Sequence, residues 1–340
     1  MKRSFAPSEY HLRRLARVKP RLRWREGLDF SAWQTKLRKK LFGLIGGWPR
    51  KRGDLAVEYG ETVRKDGYTQ QRLVFRSEPG ADVPGYLLVP DGLGGPRPGM
   101  VCVQGHSPGV HISIGEAHTP KDEESLAGGD RDFAVQAARR GLVALAIEQR
   151  SFGERRETIQ EQRSPHGCFD AVMHAFELGS TMVAERTWDA SRALDLLASR
   201  PEVDAGALAC MGNSGGGTTT FYLACLDERV RVAVPSCVFC TYADSLMRIY
   251  HCADNYIPGV LKTAEMGDLA GLIAPRHVVF VAGEKDEIFP IAGTRRAFET
   301  AQAIYAAAGA SEACELVVGP EGHRFYAEPA WPRILAALEA

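Results

Sequence analysis

Short apolar runs alternate with amphipathic segments over most of this chain. Runs rich in apolar, β-branched and aromatic residues predict strands at 56–64, 71–75, 83–89, 100–103, 141–147, 205–211, 277–281 and 314–318. Helical periodicity between the later runs predicts helices at 132–140, 181–199 and 294–308. The first three strands form an antiparallel start, and the alternation that follows is typical of a doubly wound sheet. We therefore predict an α/β fold with a mostly parallel sheet.

Three connections, 107–129, 155–177 and 242–268, are longer than a simple turn between elements requires. The first two follow strands at the edge of the sheet where open α/β proteins place their sites. We interpret all three as insertions that form pocket walls or a partial lid. In the third insertion, Asn255 and Tyr256 are predicted to bind substrate.

The first 54 residues form a basic helical extension, ahead of a catalytic domain predicted at 55–340. Up to Arg52 the chain carries 16 Lys and Arg against 3 Asp and Glu, so the remainder is acidic. Trp33, Leu37, Leu41 and Leu44 form one apolar stripe at helical spacing. The stripe favours a helix docked on the acidic body or on a neighbouring subunit, which would make a homo-oligomer. The alternative, a nucleic-acid arm, is disfavoured because aromatic residues are too few for base stacking.

Composition fits one globular enzyme domain. The 340 residues are 45% apolar and 25% charged, which are ordinary globular values. No apolar stretch approaches the roughly 20 residues of a membrane span, and the N-terminus lacks the apolar core of a secretory signal. Eight cysteines without small-domain spacing are expected to be free thiols in a reducing cytosol. We predict a cytoplasmic protein without membrane or nucleic-acid partners.

A glycine-rich turn follows the strand predicted at 205–211. Its residues are Gly212-Asn213-Ser214-Gly215-Gly216, and an apolar helical segment comes next. The pattern G-x-S-x-G between a strand and a helix is the nucleophile elbow of α/β-hydrolases. Small neighbours are required because the turn is sharp and the serine backbone is strained. The alternative is an ordinary strand-to-helix turn.

An acid and a histidine follow in the order that this arrangement requires. Asp286 lies three residues beyond Gly283, after the strand at 277–281, and His323 follows the run at 314–318. A hydroxyl needs an adjacent base to become a good nucleophile, and a carboxylate holds that base in the correct tautomer. We therefore predict a Ser214–His323–Asp286 triad, with Glu284 and Glu287 as rival acids.

An oxyanion hole needs two N–H donors. One is expected from Gly215, the residue after the nucleophile, and the other from the loop after an early central strand. The strand at 100–103 leads into Gln104-Gly105-His106, so the N–H of His106 is the predicted second donor. The alternative for this loop is a plain glycine turn.

With these motifs the chain resembles the acetyl xylan esterase and cephalosporin deacetylase branch of the α/β-hydrolases, which is related to dienelactone hydrolases. The similarity runs from about Leu55 to the C-terminus. It rests on the segments 85–90, 104–106, 147–153 and 200–204 and on the loops of Asp286 and His323. The resemblance implies an α/β-hydrolase fold, the same triad and oxyanion residues, and short acyl esters as substrates. Members of that branch usually carry glutamine where this chain has Gly215.

A zinc site is the competing interpretation of the cysteine-rich segment. Cys237, Cys240, His251 and Cys252 have a spacing that resembles zinc ligands. Cys237 and Cys240 adjoin an apolar run, however, where cysteine usually serves as a small buried hydrophobe. We predict no metal and no cofactor.

The prediction is therefore a serine hydrolase that cleaves small carboxylic esters through an acyl-enzyme. A peptidase or thioesterase of the same fold is the alternative among enzymes. A catalytically silent protein that retains the fold for binding is the alternative from another class.

Overall fold

The computed structural model describes residues 5–106, 109–157 and 168–340. A nine-stranded sheet runs through the chain in the order β1-β2-β3-β5-β4-β6-β7-β8-β9. Its strands are β1 (Glu58–Lys65), β2 (Tyr68–Glu78), β3 (Ala81–Pro90), β4 (Arg97–Val103), β5 (Val143–Ile147), β6 (Val203–Asn213), β7 (Val230–Ser236), β8 (His277–Gly283) and β9 (Cys314–Gly319).

The pairing of neighbouring strands changes once across the sheet, from antiparallel to parallel. The pairs β1–β2, β2–β3 and β3–β5 are antiparallel. Every pair from β5 through β4 and on to β9 is parallel. The predicted mostly parallel sheet with an antiparallel start is confirmed.

Helices cover both faces of the sheet. They are α1 (Pro7–Leu15), α2 (Phe30–Leu44), α3 (Pro120–Gly129), α4 (Phe133–Ala138), α5 (Phe169–Glu177), α6 (Met182–Ala198), α7 (Gly215–Leu226), α8 (Met266–Ala270), α9 (Ile291–Ala307) and α10 (Ala327–Glu339). On one face, α2, α6, α7 and α9 share a hydrophobic core with the sheet. On the other face, α4 and α10 build a second core. The parallel strands are buried on both sides, as their continuous apolar sequences require.

The basic N-terminal segment packs on the body of the protein through α2. Trp33, Leu37 and Leu41 are buried in the larger core. Arg38 of the same helix forms an ion pair with Glu228 at 2.9 Å, so part of the basic charge meets the acidic body. The domain boundary after residue 54 and a subunit interface through this segment stay predictions.

The three insertions contain short helices. The first holds a 3₁₀ helix at Val110–Ile114 and α3, and the third holds 3₁₀ helices at Ala253–Asn255 and Val260–Lys262 and α8. The described part of the second insertion contains α5. Residues 107, 108 and 158–167 of the first two predicted insertions lie outside the described residues.

Two of the eight cysteines are paired. Cys168, just before α5, is disulfide-bonded to Cys252 in the third insertion, 84 residues away. The expectation that all eight are free thiols is wrong for this pair, because only the folded chain brings the two insertions together. The remaining cysteines are buried free thiols: Cys102, Cys210, Cys225, Cys237, Cys240 and Cys314. Within the described ranges, no helix has both the length and the apolar character needed to cross a membrane.

Candidate active site

Ser214 stands at the turn between β6 and α7 in a strained backbone conformation. Its φ is 57° and its ψ is −122°, a region that residues other than glycine rarely occupy. A Cβ at Gly212 would lie 2.5 Å from the carbonyl oxygen of Val103, and one at Gly216 would overlap the same oxygen. Only glycine at these two positions lets the turn approach β4 so closely. The predicted elbow geometry is therefore present.

His323 and Asp286 form the acid–base pair. His323 Nδ1 lies 2.8 Å from Asp286 Oδ2. The other oxygen, Oδ1, accepts hydrogen bonds from the backbone N–H groups of Ile288 at 2.8 Å and Phe289 at 3.0 Å. The Phe289 ring also stacks on the imidazole, with centroids 5.8 Å apart. These contacts hold both side chains of the pair in place.

The environment keeps Asp286 ionised. Burial alone would raise its pKa, but the hydrogen bond and charge of His323 and the two backbone N–H donors outweigh burial, and the net pKa is lowered. The rival acids are placed differently: Glu284 forms an exposed ion pair with Arg295 at 2.8 Å, and Glu287 is exposed. Of the three carboxylates, Asp286 is the one that contacts His323.

Topology explains why these residues share one region. Ser214 follows β6, Asp286 follows β8 and His323 follows β9, and these strands are parallel. The carboxyl ends of parallel strands meet at one edge of the sheet, where α/β proteins bind ligands.

The loop after β4 lies directly against the elbow. A Cβ at Gly105 would lie 2.9 Å from Ser214 Cβ and 3.2 Å from the backbone nitrogen of Gly215. A Cβ at Gly215 would lie 3.3 Å from Nδ1 of His106. The two predicted oxyanion residues, Gly215 and His106, are therefore neighbours. The His106 ring occupies the space where a side chain at position 215 would begin.

A buried ion pair behind His106 was missed at the sequence level. Asp254 Oδ2 lies 3.1 Å from His106 Nε2 and 2.6 Å from Arg186 Nη1. The carboxylate is fully buried and the arginine 4% exposed. Burial acts to raise the pKa of Asp254, but Arg186 and His106 reverse the effect and lower it. No local sequence pattern predicts these contacts, because the three residues lie in separate elements of the fold.

A second histidine, His251, was considered only as a zinc ligand. Its Nε2 lies 2.8 Å from Ser245 Oγ, and its ring meets Phe289 edge-on at 5.1 Å. Burial, aided by the nearby charge of His323, lowers its pKa to about 4. His251 is therefore neutral at physiological pH and adds no charge beside the acid–base pair.

Asn255 and Tyr256 differ in their surroundings. Asn255 Oδ1 accepts a hydrogen bond from Thr218 Oγ1 at 2.8 Å, beside the elbow. Tyr256 donates to the carbonyl of Leu246 at 3.2 Å and lines a cavity of about 360 Å³ between α1 and the third insertion. Their substrate contacts stay predictions.

Two groups of side chains in the described part of the chain have ligating atoms within 4.8 Å of one another. They are His106, Cys168, Cys252 and Asp254, and Cys237, Asp286 and His323. In the first group the two thiols are bonded to each other and Asp254 is paired with Arg186. In the second, Asp286 and His323 are hydrogen-bonded to each other at 2.8 Å, and the Cys237 thiol donates to the carbonyl of Arg324 at 3.1 Å. Neither group offers a ready set of metal ligands.

Comparisons with known proteins agree with this architecture. YtaP of Bacillus subtilis (strain 168), a candidate hydrolase, is 26% identical over 300 residues, which cover 85% of this chain and 94% of YtaP. The structure of a candidate acetyl xylan esterase from Bacteroides fragilis matches with a TM-score of 0.77 at 17% identity, over 97% of this chain and 84% of that one. A glucuronoyl esterase from Solibacter usitatus matches with a TM-score of 0.69 at 16% identity, over 95% and 98% of the two chains. At these identities the solved structures show a shared fold.

A family model settles the classification. The model of the family described as the Abhydrolase family matches residues 11–312. The matched range begins within the N-terminal segment, contains Ser214 and Asp286, and ends shortly before His323. The α/β-hydrolase fold predicted from the sequence is confirmed, and the chain belongs to the Abhydrolase family.

Proposed function

We propose that this protein is a serine hydrolase that cleaves short-acyl carboxylic esters, acetyl esters first among them, through an acyl-enzyme. The observation that carries the proposal is the strained Ser214 at the start of α7, at the same sheet edge as the hydrogen-bonded His323–Asp286 pair. A serine held in this way exposes its hydroxyl to substrate, and the imidazole at the same sheet edge supplies the base that it needs.

Each residue then has a defined role in forming and hydrolysing the acyl-enzyme. Ser214 Oγ attacks the acyl carbon while Nε2 of His323 accepts its proton, because Nδ1 is engaged by Asp286. Ionised Asp286 stabilises the imidazolium that forms. His323 passes the proton to the departing alcohol, and a water molecule activated by the same imidazole later releases the acid and restores Ser214.

Charge on the carbonyl oxygen is stabilised by backbone N–H groups. Gly215 opens α7, so its N–H lies at the positive end of the helix dipole. The loop of Gly105 and His106 approaches the same point from β4 and supplies the second donor. Such donors are worth most where they are aimed at the developing oxyanion before the reaction begins.

Two features support esters with a small acyl group. One solved structure of similar fold is a candidate acetyl xylan esterase, an enzyme named for an acetyl ester. The third insertion also approaches the elbow closely, since Asn255 contacts Thr218 on the first turn of α7. When an insertion lies this close to the nucleophile, the space for the acyl group is small, which favours small acyl groups over long ones.

The test combines covalent labelling with a substrate panel. A fluorophosphonate probe should label wild-type protein but not Ser214→Ala, and Ser214→Ala should lower kcat by on the order of 10³-fold or more without changing the unfolding temperature. Ser125→Ala, at a half-buried serine of α3, is the matched control and should label normally. The panel holds acetyl esters, acetyl thioesters and aminoacyl anilides. Faster turnover of anilides or thioesters would replace the esterase proposal, and a protein that neither labels nor turns over any of them would be a binding protein.

A further inference from the structure

The 3₁₀ helix Ala253–Asn255 contacts both sides of the predicted oxyanion hole. We propose that Asp254 and Asn255 are positioning residues that fix the separation of its two N–H donors, Asp254 through His106 and Asn255 through Thr218. This inference rests on the proposed esterase function and adds residues to it. We refer to the two side chains together as the oxyanion brace.

The Asp254 half of the brace fixes the loop after β4. Its carboxylate meets Nε2 of His106 at 3.1 Å, and the Phe152 ring lies 4.7 Å from the imidazole centroid. The ring is thereby held at one nitrogen and on one side. Its other nitrogen, Nδ1, would lie 3.3 Å from a Cβ at Gly215, so the ring is packed between Asp254 and the elbow and holds the His106 backbone beside it.

Arg186 makes this arrangement stable in the interior. Its guanidinium pairs with Asp254 at 2.6 Å, donates to the carbonyl of Arg150 and lies 4.2 Å above the Phe152 ring. A buried carboxylate with one partner would be costly, but here the charge is neutralised and its hydrogen-bonding capacity is used. Asp254 is thus a fixed anchor rather than a mobile surface acid.

The Asn255 half fixes the first turn of α7. Its Oδ1 accepts from Thr218 Oγ1 at 2.8 Å, and the Thr218 backbone N–H donates to the carbonyl of Ser214 at 2.8 Å. The two halves are joined because Nδ2 of Asn255 donates to Oδ1 of Asp254 at 3.0 Å. A continuous chain of hydrogen bonds therefore runs from His106 to the helix that carries Gly215.

The position of this chain points to the reaction rather than to stability alone. The two donors of an oxyanion hole come from different loops. Here those loops leave the paired strands β4 and β6, and Gln149 links them again, because it donates to the Gln104 carbonyl and accepts from the Thr219 hydroxyl. Stabilisation of the oxyanion depends on that separation being set in advance, and displacement by about 1 Å is enough to cost on the order of 100-fold in rate. The oxyanion brace adds a cross-link at His106 itself, the residue expected to supply the second donor.

The main experiment is a double-mutant cycle between Asn255→Ala and Thr218→Val, assayed with p-nitrophenyl acetate. Each change removes the Asn255–Thr218 hydrogen bond, and Asn255→Ala also removes the bond from Asn255 to Asp254. Both variants keep the Asp254–Arg186 pair, so both should fold. We expect kcat to fall about 10- to 100-fold in each, with KM within about twofold. The double variant should be no slower than the slower single variant, because the two residues act through one contact.

The Asp254 half is tested by Asp254→Asn and by its combination with His106→Ala. Asp254→Asn should lower kcat and weaken binding of a trifluoromethyl ketone, a mimic of the tetrahedral intermediate, by similar factors, while KM stays near the wild-type value. In the His106→Ala background it should have little further effect. Asp227→Asn is the matched control, because Asp227 is another buried carboxylate paired with an arginine, 2.7 Å from Arg229 Nη2, and lies at the opposite end of α7 from Ser214. This control should leave kcat unchanged.

Three outcomes would overturn the brace. Additive losses in the Asn255–Thr218 cycle would show that the two residues act separately. A rise in KM with unchanged kcat for Asn255→Ala would instead make Asn255 a substrate-binding residue. Equal losses of kcat in Asp227→Asn and Asp254→Asn would show that Asp254 has only a structural role. Wild-type ester hydrolysis and labelling at Ser214 are measured alongside, so failure of the brace remains distinct from failure of the proposed function.

Discussion

Glu148 provides a test of the electrostatics beside the oxyanion loop. It follows β5, is 2% exposed, and accepts a hydrogen bond from the backbone N–H of Val110 at 3.0 Å. Burial raises the pKa of Glu148 from 4.5 to about 7, because the lowering effect of backbone donors is smaller than the cost of desolvating the charge. The folded protein therefore holds this proton more tightly than the unfolded chain does.

The size of the effect follows from the two pKa values. A rise from 4.5 to about 7 corresponds to about 3.4 kcal/mol, at about 1.36 kcal/mol for each tenfold change in proton affinity. This contribution to stability is complete below pH 4.5 and is lost as the pH rises through 7. Between pH 5 and pH 8 it should fall by about 2.5 kcal/mol.

Glu148→Gln removes the titration and keeps a carbonyl oxygen that can accept from Val110. Urea unfolding at pH 5 and pH 8 measures the free energy of unfolding of both proteins. From pH 5 to pH 8, the free energy of unfolding of the variant should rise by about 2.5 kcal/mol relative to that of the wild type. Glu312→Gln, at an exposed carboxylate, should show no such gain. If the difference between wild type and Glu148→Gln is the same at both pH values, Glu148 does not titrate as its burial requires.

Three further predictions concern the acid, the acyl pocket and the N-terminal helix. Asp286→Asn should lower kcat by roughly 10⁴-fold through the wrong imidazole tautomer, whereas Glu284→Gln should change it little; the reverse order in steady-state assays would contradict the acid assignment. Across p-nitrophenyl esters, kcat/KM should be highest for acetate or propionate, with about 1–3 kcal/mol lost for each methylene that does not fit, and a maximum at octanoate would indicate a lipase-like groove. Leu37→Ala should lower the free energy of unfolding by about 2–5 kcal/mol, because Leu37 is fully buried in the main core. Its control, exposed Lys36→Ala, should stay within about 0.5 kcal/mol, and a harmless Leu37→Ala would show that α2 is not part of the folding unit.

Features set by a short stretch of sequence were predictable. The elbow depends on five consecutive residues, and its glycines are required by contacts with β4 that any such turn makes. The stripe of α2 follows from helical periodicity alone. The ends of elements were predicted less accurately. Helix α9 begins at Ile291, directly after Pro290 and three residues before the predicted start. Apolar periodicity identifies the buried face of a helix and not its first turn.

Features that join distant segments were not predictable. The Cys168–Cys252 disulfide and the Asp254–Arg186 pair each connect elements more than 60 residues apart in the chain. Neither partner carries a local signature, since a buried aspartate and a surface aspartate look alike in sequence. These long-range contacts become visible only when the third insertion is placed against α6 and the elbow.

The relation between Gly215 and His106 explains why this chain departs from the branch that it resembles. That branch usually has glutamine after the nucleophile, but here even a Cβ at position 215 would lie 3.3 Å from the His106 ring, which is tighter than most side-chain contacts. The ring cannot retreat freely, because Asp254 holds its Nε2 and Phe152 lies 4.7 Å away. The fixed position of the His106 imidazole therefore requires glycine at position 215. The His106 ring, held by Asp254, occupies the space that a side chain at position 215 would take. Because Gly215 has no side chain, its N–H beside Ser214 stays unobstructed.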